Sequence, residues 1–153
     1  MTSSSRTGSP TSHTILFDVN ALVALSLTSH VHHRAAHAFL SEVSAWSTCA
    51  TTEAGLYRLL LNPTVVGRQL TVVDVDRTAQ GFRTDPRWQF LDDSSSLATA
   101  GVETSVLVGH RQVTDRHLAN LALASGGRLA TFDRAITSWL APRDRHLVHV
   151  IPT

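Results

Sequence analysis

The sequence contains no lysine, a single cysteine and a single methionine, and it has no long apolar run. Because Cys49 is the only cysteine, an intramolecular disulfide is excluded and a reducing, cytoplasmic location is expected. The apolar stretches fall short of the roughly 18 residues that a membrane-spanning helix needs. The sequence therefore excludes a disulfide-stapled scaffold, and it predicts no association with a membrane.

The charge of the chain is nearly balanced, with 13 basic and 12 acidic residues and a formal net charge of +1. Such a balance does not by itself indicate a nucleic-acid-binding protein. All the basic residues are arginines, for which there are two explanations. A GC-rich genome favours arginine codons, and arginine also suits bidentate contacts with phosphate.

Length and composition are those of one globular domain. The chain has 153 residues, of which 42% are hydrophobic and 16% are charged. It can therefore bury an apolar core, and it is not disordered as a whole. Residues 1–12 are rich in serine and threonine. We predict that they form a disordered tail and that residues 13–153 form a single domain.

Short apolar runs alternate with segments that have helical periodicity. The predicted strands are residues 14–17, 45–50, 88–91, 128–132 and 147–151. The predicted helices are residues 20–27, 31–43, 53–61, 76–82, 97–108 and a helix that begins at Thr114 or Asp115 and stops at the glycine pair 126–127. One or two further helical turns are predicted at residues 134–140. This alternation predicts an α/β fold whose mostly parallel sheet is covered on both faces.

Four acidic residues, Asp18, Glu53, Asp115 and Asp133, lie beside these apolar segments. Asp18 and Asp133 directly follow predicted strands, whereas Glu53 and Asp115 lie near the starts of predicted helices. In parallel sheets, ligands bind outside the carboxyl ends of the strands, where the strand order reverses. If the four carboxylates converge there, their oxygens form a site for a hard cation such as Mg²⁺ or Mn²⁺.

A carboxylate cluster of this kind suits phosphodiester hydrolysis. One or two bound ions activate water, neutralise the charge on the phosphoryl oxygens and support the leaving oxygen. The carboxylates repel one another, and a divalent ion relieves that repulsion. Each acid taken alone also has an ordinary structural interpretation; Asp115, for example, complements a helix dipole. The functional interpretation depends on all four occurring together.

The segments that carry these acids resemble the PIN-domain nucleases and, more narrowly, the VapC toxins of bacterial toxin–antitoxin pairs. The segments are residues 16–25, 51–58, 114–119 and 129–134, together with residues 30–36, which resemble the start of the second helix of the family. The resemblance covers roughly residues 14 to 151. It implies a three-layer α/β/α sandwich with a central, mostly parallel sheet, and Mg²⁺- or Mn²⁺-dependent endoribonuclease activity.

The resemblance also implies a role for each site residue. Asp18 and Asp115 are expected to contact metal directly or through water, and Asp133 to hold it through water or to complete the shell of a second ion. Glu53 is expected to orient or deprotonate the attacking water. Hydrogen bonds from Asn20 and Thr131 are expected to fix the carboxylates. The candidates for contact with RNA phosphates are Arg34, Arg58, Arg111, Arg116 and Arg134.

The partners that the resemblance implies are an RNA substrate, such as a tRNA or rRNA loop, and a cognate antitoxin whose basic residue enters the acidic site. Homodimerisation is also expected. Two alternatives stay open: an RNA-processing PIN nuclease that is not a toxin, and a non-catalytic module that binds RNA or protein. Phosphohydrolases of the receiver or haloacid-dehalogenase type are disfavoured, because they usually need a catalytic lysine.

A histidine-rich run, His30, His32, His33 and His37, raises the question of a zinc site. Histidines four residues apart on a helix can share an ion, but no cysteine or spaced set of carboxylates accompanies them. Packing at the edge of a helix is the favoured interpretation of this run.

Overall fold

The computed structural model describes residues 13–104 and 109–153. The predicted tail at residues 1–12 lies outside the described residues. The strands are β1 (Ile15–Phe17), β2 (Trp46–Cys49), β3 (Trp88–Leu91), β4 (Arg128–Thr131) and β5 (Val148–Val150). They form one sheet of order β3-β2-β1-β4-β5, in which every neighbouring pair is parallel. The prediction of an α/β fold with a parallel sheet is confirmed.

The strand order reverses at the centre of this sheet. From β1 the chain runs outward through β2 to β3, and it then returns to place β4 and β5 on the other side of β1. β1 and β4 are therefore neighbours, with Leu16 in register with Leu129. Their carboxyl ends border the crevice in which ligands of such sheets bind. Asp18 and Asp133 lie at these two ends.

Helices cover both faces of the sheet. They are α1 (Val19–Ser26), α2 (His33–Glu42), α3 (Ala50–Leu60), α4 (Pro63–Val66), α5 (Val72–Phe82), α6 (Val113–Ala124) and α7 (Ile136–Trp139). Side chains alternate between the faces of a strand. Phe17 accordingly joins a core formed with α1, α2, α3 and α5, whereas Leu16 joins one formed with α6 and α7. The predicted three-layer sandwich is thus confirmed.

None of the helices within the described part of the chain is long and apolar enough to cross a membrane.

The helix predicted for residues 97–108 is wrong over its described part. The structure has a single 3-10 turn at Leu97–Thr99, and Thr104 forms an isolated antiparallel bridge with Leu140. Backbone groups of this segment form hydrogen bonds with side chains of other elements. Gly101 donates its N–H to Asn120 at 2.8 Å, and Glu103 donates its N–H to Asp144 at 2.7 Å. Residues 105–108 lie outside the described residues.

Three helix starts also differ from the prediction, and the largest difference is at α5, which begins at Val72 instead of residue 76. α3 begins at Ala50, so Thr51 and Thr52 lie inside its first turn, where the hydroxyl of Thr52 accepts the N–H of Cys49 at 2.9 Å. α6 begins at Val113, before the expected cap at Thr114 or Asp115, and Gln112 at its N-cap makes no side-chain capping bond. Thr52 thus closes the start of α3, whereas Thr51, Thr114 and Asp115 border the crevice beside the two helix starts.

The histidine-rich run acts at the end of α1. Nδ1 of His33 lies 2.8 Å from the carbonyl oxygen of Ala24, and Nε2 of His37 lies 3.1 Å from that of Leu25. These carbonyls belong to the last turn of α1, where acceptors have no partner inside the helix. The contacts agree with packing at a helix edge, the interpretation favoured over a zinc site.

Candidate active site

Asp18 joins β1 to α1 and is nearly buried, with 5% of its surface exposed. Its Oδ1 accepts the N–H of Val19 at 2.7 Å and so caps α1, while its Oδ2 accepts the hydroxyl of Thr131 at 2.7 Å. Burial raises the pKa of Asp18, the two hydrogen bonds act to lower it, and the charge of Asp133 raises it further. The carboxylate is therefore held in one orientation at an electrostatic cost.

Asn20 and Thr131 hold Asp18 in place through a chain of hydrogen bonds. The hydroxyl oxygen of Thr131 accepts from Nδ2 of Asn20 at 3.0 Å and from the N–H of Asp133 at 3.1 Å. With both lone pairs engaged, the single hydroxyl hydrogen of Thr131 points to Asp18. Oδ1 of Asn20 accepts the N–H of Phe132 at 3.1 Å, which fixes the amide in turn. Thr131 thus bonds directly to the carboxylate of Asp18, whereas Asn20 acts on it only through Thr131.

Asp115 extends from the first turn of α6 toward the same crevice. Burial raises its pKa to about 7, and the charges of Asp18 and then Asp133 add to the effect. The three aspartates thus come from three separate elements and act on one another electrostatically. Their mutual repulsion suits a cation, and their oxygens are the donors that Mg²⁺ and Mn²⁺ prefer.

The three carboxylates do not form a finished coordination shell. Among residues 13–104 and 109–153, no three histidine, cysteine or acidic side chains lie close enough together to hold a metal ion between them. Asp133 is turned partly toward its own chain, since its Oδ1 accepts the N–H of Ala135 at 2.9 Å. The donor chemistry therefore fits a hard cation, and binding one requires these side chains to draw closer together.

A cavity of about 320 Å³ opens beside Asp18, Asn20 and Asp115. Its opposite wall is one face of α3, where Thr51, Gly55, Arg58 and Leu59 point into it. The missing side chain of Gly55 lets α3 approach α1, because a Cβ there would lie 2.6 Å from Cγ2 of Val19. The cavity therefore has acidic groups on one side and an arginine on the other.

Glu53 does not line this cavity. It lies two residues after Thr51, and this spacing turns it to another face of α3. Its Oε1 accepts the hydroxyl of Thr48 at 2.7 Å and forms a 3.0 Å ion pair with Arg83, whose guanidinium lies 4.4 Å from the centre of the Trp88 ring. Of the four predicted acids, Asp18, Asp115 and Asp133 therefore act on one another electrostatically, whereas Glu53 is paired with Arg83 away from the cavity.

The predicted phosphate-binding arginines are spread over the surface. Arg58 lines the cavity, but Arg34, Arg111, Arg116 and Arg134 do not. Arg34, Arg111 and Arg134 are exposed, and Arg116 is half-buried with an Nε that has no hydrogen-bond partner among the described residues. Arg58 is thus the candidate whose position relates it to the acidic site.

Asp93 was not among the candidates drawn from the sequence, although it lies at the same edge of the sheet. It follows β3 by two residues, as Asp133 follows β4. Its carboxylate accepts hydrogen bonds from Thr51 and His117. The signal that was available is an acidic residue after an apolar strand, the same signal that singles out Asp18.

Comparison with known proteins agrees with this geometry. A family model described as "PIN domain" matches residues 15–138. This chain belongs to the PIN-domain family. The matched residues run from β1 into α7, so they include the three aspartates of the site and the cavity wall on α3.

Relatives from Mycobacterium tuberculosis narrow the family to the VapC ribonucleases. Ribonuclease VapC38 is 39% identical over 138 residues, covering 89% of this PIN-domain chain and 96% of the relative. Ribonuclease VapC29 is also 39% identical, over 142 residues that cover 92% and 98% of the two chains. The chain is an endoribonuclease of the VapC type, whose members are toxins of toxin–antitoxin pairs.

A solved structure agrees at the level of the fold. The crystal structure of Mycobacterium tuberculosis VapC20, described as a Sarcin-Ricin loop cleaving toxin, matches with a TM-score of 0.56. The match covers 82% of this chain and 94% of that chain at 11% identity. So distant a likeness shows a shared PIN fold and leaves the substrate of this chain undecided.

Proposed function

We propose that Asp18, Asp115 and Asp133 of this PIN-domain toxin hold Mg²⁺ or Mn²⁺ beside an RNA phosphodiester bond and so promote hydrolysis of that bond. The observation that supports this proposal is that Asp18 and Asp115 line one cavity. Burial and the charges of Asp18 and Asp133 also raise the pKa of Asp115 to about 7. Two carboxylates at the cavity thus repel each other and are repelled by Asp133, an arrangement that costs stability unless a cation joins them.

When bound, the ion activates a water molecule and neutralises charge on the phosphate. Asp18 enters this arrangement already oriented by Val19 and Thr131. Arg58, on the opposite wall of the cavity, is placed to bind a phosphate of the RNA and to hold it against the acidic side. Asp18 itself is nearly buried, which strengthens its interaction with a cation.

The natural substrate and partners belong to the same proposal. We expect a structured RNA, a tRNA or rRNA loop, because bases in loops are open to recognition. We also expect an antitoxin that inserts a basic side chain among the aspartates and replaces the cation by a charge-assisted contact. Homodimerisation is a further expectation, which light scattering of the purified chain checks directly.

The proposal is tested by Asp18→Asn and Asp115→Asn beside the wild type. We expect purified wild-type protein to cleave RNA with Mn²⁺ and to stop when a chelator is added. Each variant should lose at least about 10²-fold in rate, since each removes a charged oxygen ligand. Asp92→Asn, the same change at an exposed aspartate, is the control and should keep its activity. Equal cleavage by the wild type and both site variants contradicts the proposal.

Glu53 needs a separate comparison, because Arg83 holds its carboxylate away from the cavity. If Glu53 orients the attacking water, Glu53→Gln abolishes cleavage, whereas Arg83→Gln, which releases Glu53, does not. If the pair is structural, both variants lower the melting temperature and retain turnover. The geometry favours the second result, which would remove Glu53 from the predicted catalytic set.

A further inference from the structure

Asp93 links two walls of the cavity from a position outside the aspartate site. Its side chain is mostly buried, with 16% of its surface exposed. One carboxylate oxygen accepts from Thr51 twice, from the hydroxyl at 2.5 Å and from the backbone N–H at 3.3 Å. The other oxygen accepts from Nε2 of His117 at 2.5 Å. Both oxygens of Asp93 are therefore engaged by protein donors.

The two partners of Asp93 belong to the helices that form the site. Thr51 lies in the first turn of α3 and lines the cavity, while His117 lies on α6 two residues after Asp115. The N–H of Thr51 is one of the donors at a helix start that have no partner inside the helix, so a carboxylate there caps α3 and complements its dipole. Asp93 thus joins the starts of α3 and α6 to the end of β3.

The charge state of Asp93 suits this arrangement. Burial acts to raise its pKa, but the hydrogen bonds from Thr51 and His117 outweigh burial, so the pKa lies below its ordinary value. The group is accordingly an ionised acceptor at neutral pH. Hydrogen bonds to an ionised acceptor are about twice as strong as neutral ones.

The start of α6 lacks the local hydrogen bonds that hold Asp18 in place. Asp18 is held by β1 and by Thr131, whereas Gln112 at the N-cap of α6 makes no side-chain capping bond. The bond from His117 to Asp93 is thus a tertiary restraint on the early turns of α6. Because Asp115 lies in the first of these turns, the same restraint acts on its position relative to Asp18.

We infer that Asp93 is a positioning residue of the ribonuclease site, which acts through Thr51 and His117 to set the spacing of Asp115 and α3 that a divalent cation needs. The inference rests on the proposed metal site. Asp93 does not itself bind the ion, since its two oxygens are occupied by the two helices. Residues that orient metal-binding groups typically contribute 10- to 100-fold to metal affinity.

The test is Mn²⁺ binding to the full chain, measured by calorimetric titration for the wild type and for Asp93→Ala. We expect the dissociation constant for Mn²⁺ to rise about tenfold in the variant. We also expect faster amide hydrogen exchange in the first turns of α6, because the restraint from β3 is gone. Asp93→Asn keeps one acceptor oxygen for Thr51 and offers His117 an amide N–H in place of the second acceptor, so it should recover only part of the lost affinity.

Asp74→Ala is the matched control. Asp74 accepts the N–H and the hydroxyl of Thr71 at 2.8 Å each, as Asp93 accepts those of Thr51. The contact of Asp74 is at the start of α5, however, and Thr71 does not line the cavity, whereas Thr51 does. A purely structural loss should appear in both variants as a lower melting temperature. Only Asp93→Ala should weaken Mn²⁺ binding, and adding His117→Phe to it should cause little further loss, because both changes break one contact.

The inference is overturned if wild-type protein binds Mn²⁺ and Asp93→Ala binds it equally well, or if Asp74→Ala weakens binding to the same extent. Failure of the proposed function gives a different result, in which the wild type itself does not bind Mn²⁺. Hydrogen exchange then still tests whether Asp93 positions the start of α6. Unchanged exchange in the first turns of α6 of Asp93→Ala refutes it, and faster exchange confined to α6 and α3 supports it.

Discussion

At the scale of single residues, Asp115 connects pH with stability. Its pKa rises from an ordinary 3.8 to about 7 in the folded protein, through burial and the charges of Asp18 and Asp133. Between these values the folded protein holds a proton that the unfolded chain has released. The free energy of unfolding of metal-free protein should therefore fall as the pH rises from about 4 to about 7, by at most about 1.4 kcal/mol per pH unit.

Asp115→Asn isolates this effect. The variant cannot ionise, so its metal-free form should match the wild type near pH 4 and exceed it in stability at pH 8, in denaturant unfolding with a chelator present. Asp92→Asn should behave as the wild type at both values, since Asp92 is exposed. A variant at Asp115 that is less stable than the wild type at pH 8 would contradict the repulsion on which the cation site depends.

The same residue explains why activity and stability oppose each other here. An aspartate that repels its neighbours destabilises the folded chain, yet the ionised form is the one that binds a cation. Asp115→Asn should thus gain stability and lose cleavage. Hydrogen bonds from Thr131 and Val19 offset part of the cost at Asp18, and no such bond is among the causes acting on Asp115.

At the scale of elements, the contact between α1 and α3 sets the width of the cavity. Gly55 meets Val19 at this contact, and a Cβ at Gly55 would lie 2.6 Å from Cγ2 and 3.1 Å from Cγ1 of Val19. Valine is stiff about its first side-chain torsion, so it cannot move aside cheaply. Gly55→Ala should lower the free energy of unfolding by about 1–3 kcal/mol and displace the start of α1, which carries Asp18.

Gly81 in α5 provides the opposite case. No atom lies within 4 Å of the position of a Cβ there. Gly81→Ala should therefore raise the free energy of unfolding by about 0.5–1 kcal/mol, because alanine favours the helix. Denaturant unfolding of the two variants measures both effects, and a reduced cleavage rate is expected only for Gly55→Ala. Equal shifts of the same sign would show that helix propensity, and not the contact with Val19, decides the result.

At the scale of the whole molecule, a cation that joins three elements should stabilise the entire fold. Asp18 follows β1, Asp115 lies in the first turn of α6, and Asp133 follows β4. An ion that binds only the folded state adds about 2.7 kcal/mol at a concentration of one hundred times its dissociation constant. For a chain of this length, that corresponds to a melting temperature higher by about 6–10 °C.

Thermal melts with Mn²⁺ and with a chelator measure this stabilisation. Wild type and Asp92→Asn should melt higher with Mn²⁺, and Asp18→Asn should respond much less. A shift of the same size in Asp18→Asn would indicate that the ion binds elsewhere on the molecule.

Much of the architecture follows from local patterns. The apolar runs at residues 14–17, 88–91 and 128–132 each contain an observed strand, because hydrophobic periodicity and polar residues at strand ends are local properties. The segment 97–108 had the composition of a helix but lacks one over its described part, because Asn120 and Asp144 take up its backbone groups. Such partners are distant in sequence, so the pattern cannot reveal them.

The sequence by itself determined the alternation of strands and helices, the parallel sheet, and the fact that Asp18 and Asp133 follow strands that end at one edge. Only the tertiary structure decided which acids face one another. It turned Glu53 to Arg83, and it placed Asp93 between Thr51 and His117. The physical reason is that strand formation depends on neighbours along the chain, whereas the direction of a helical side chain matters only once another helix or strand lies against it.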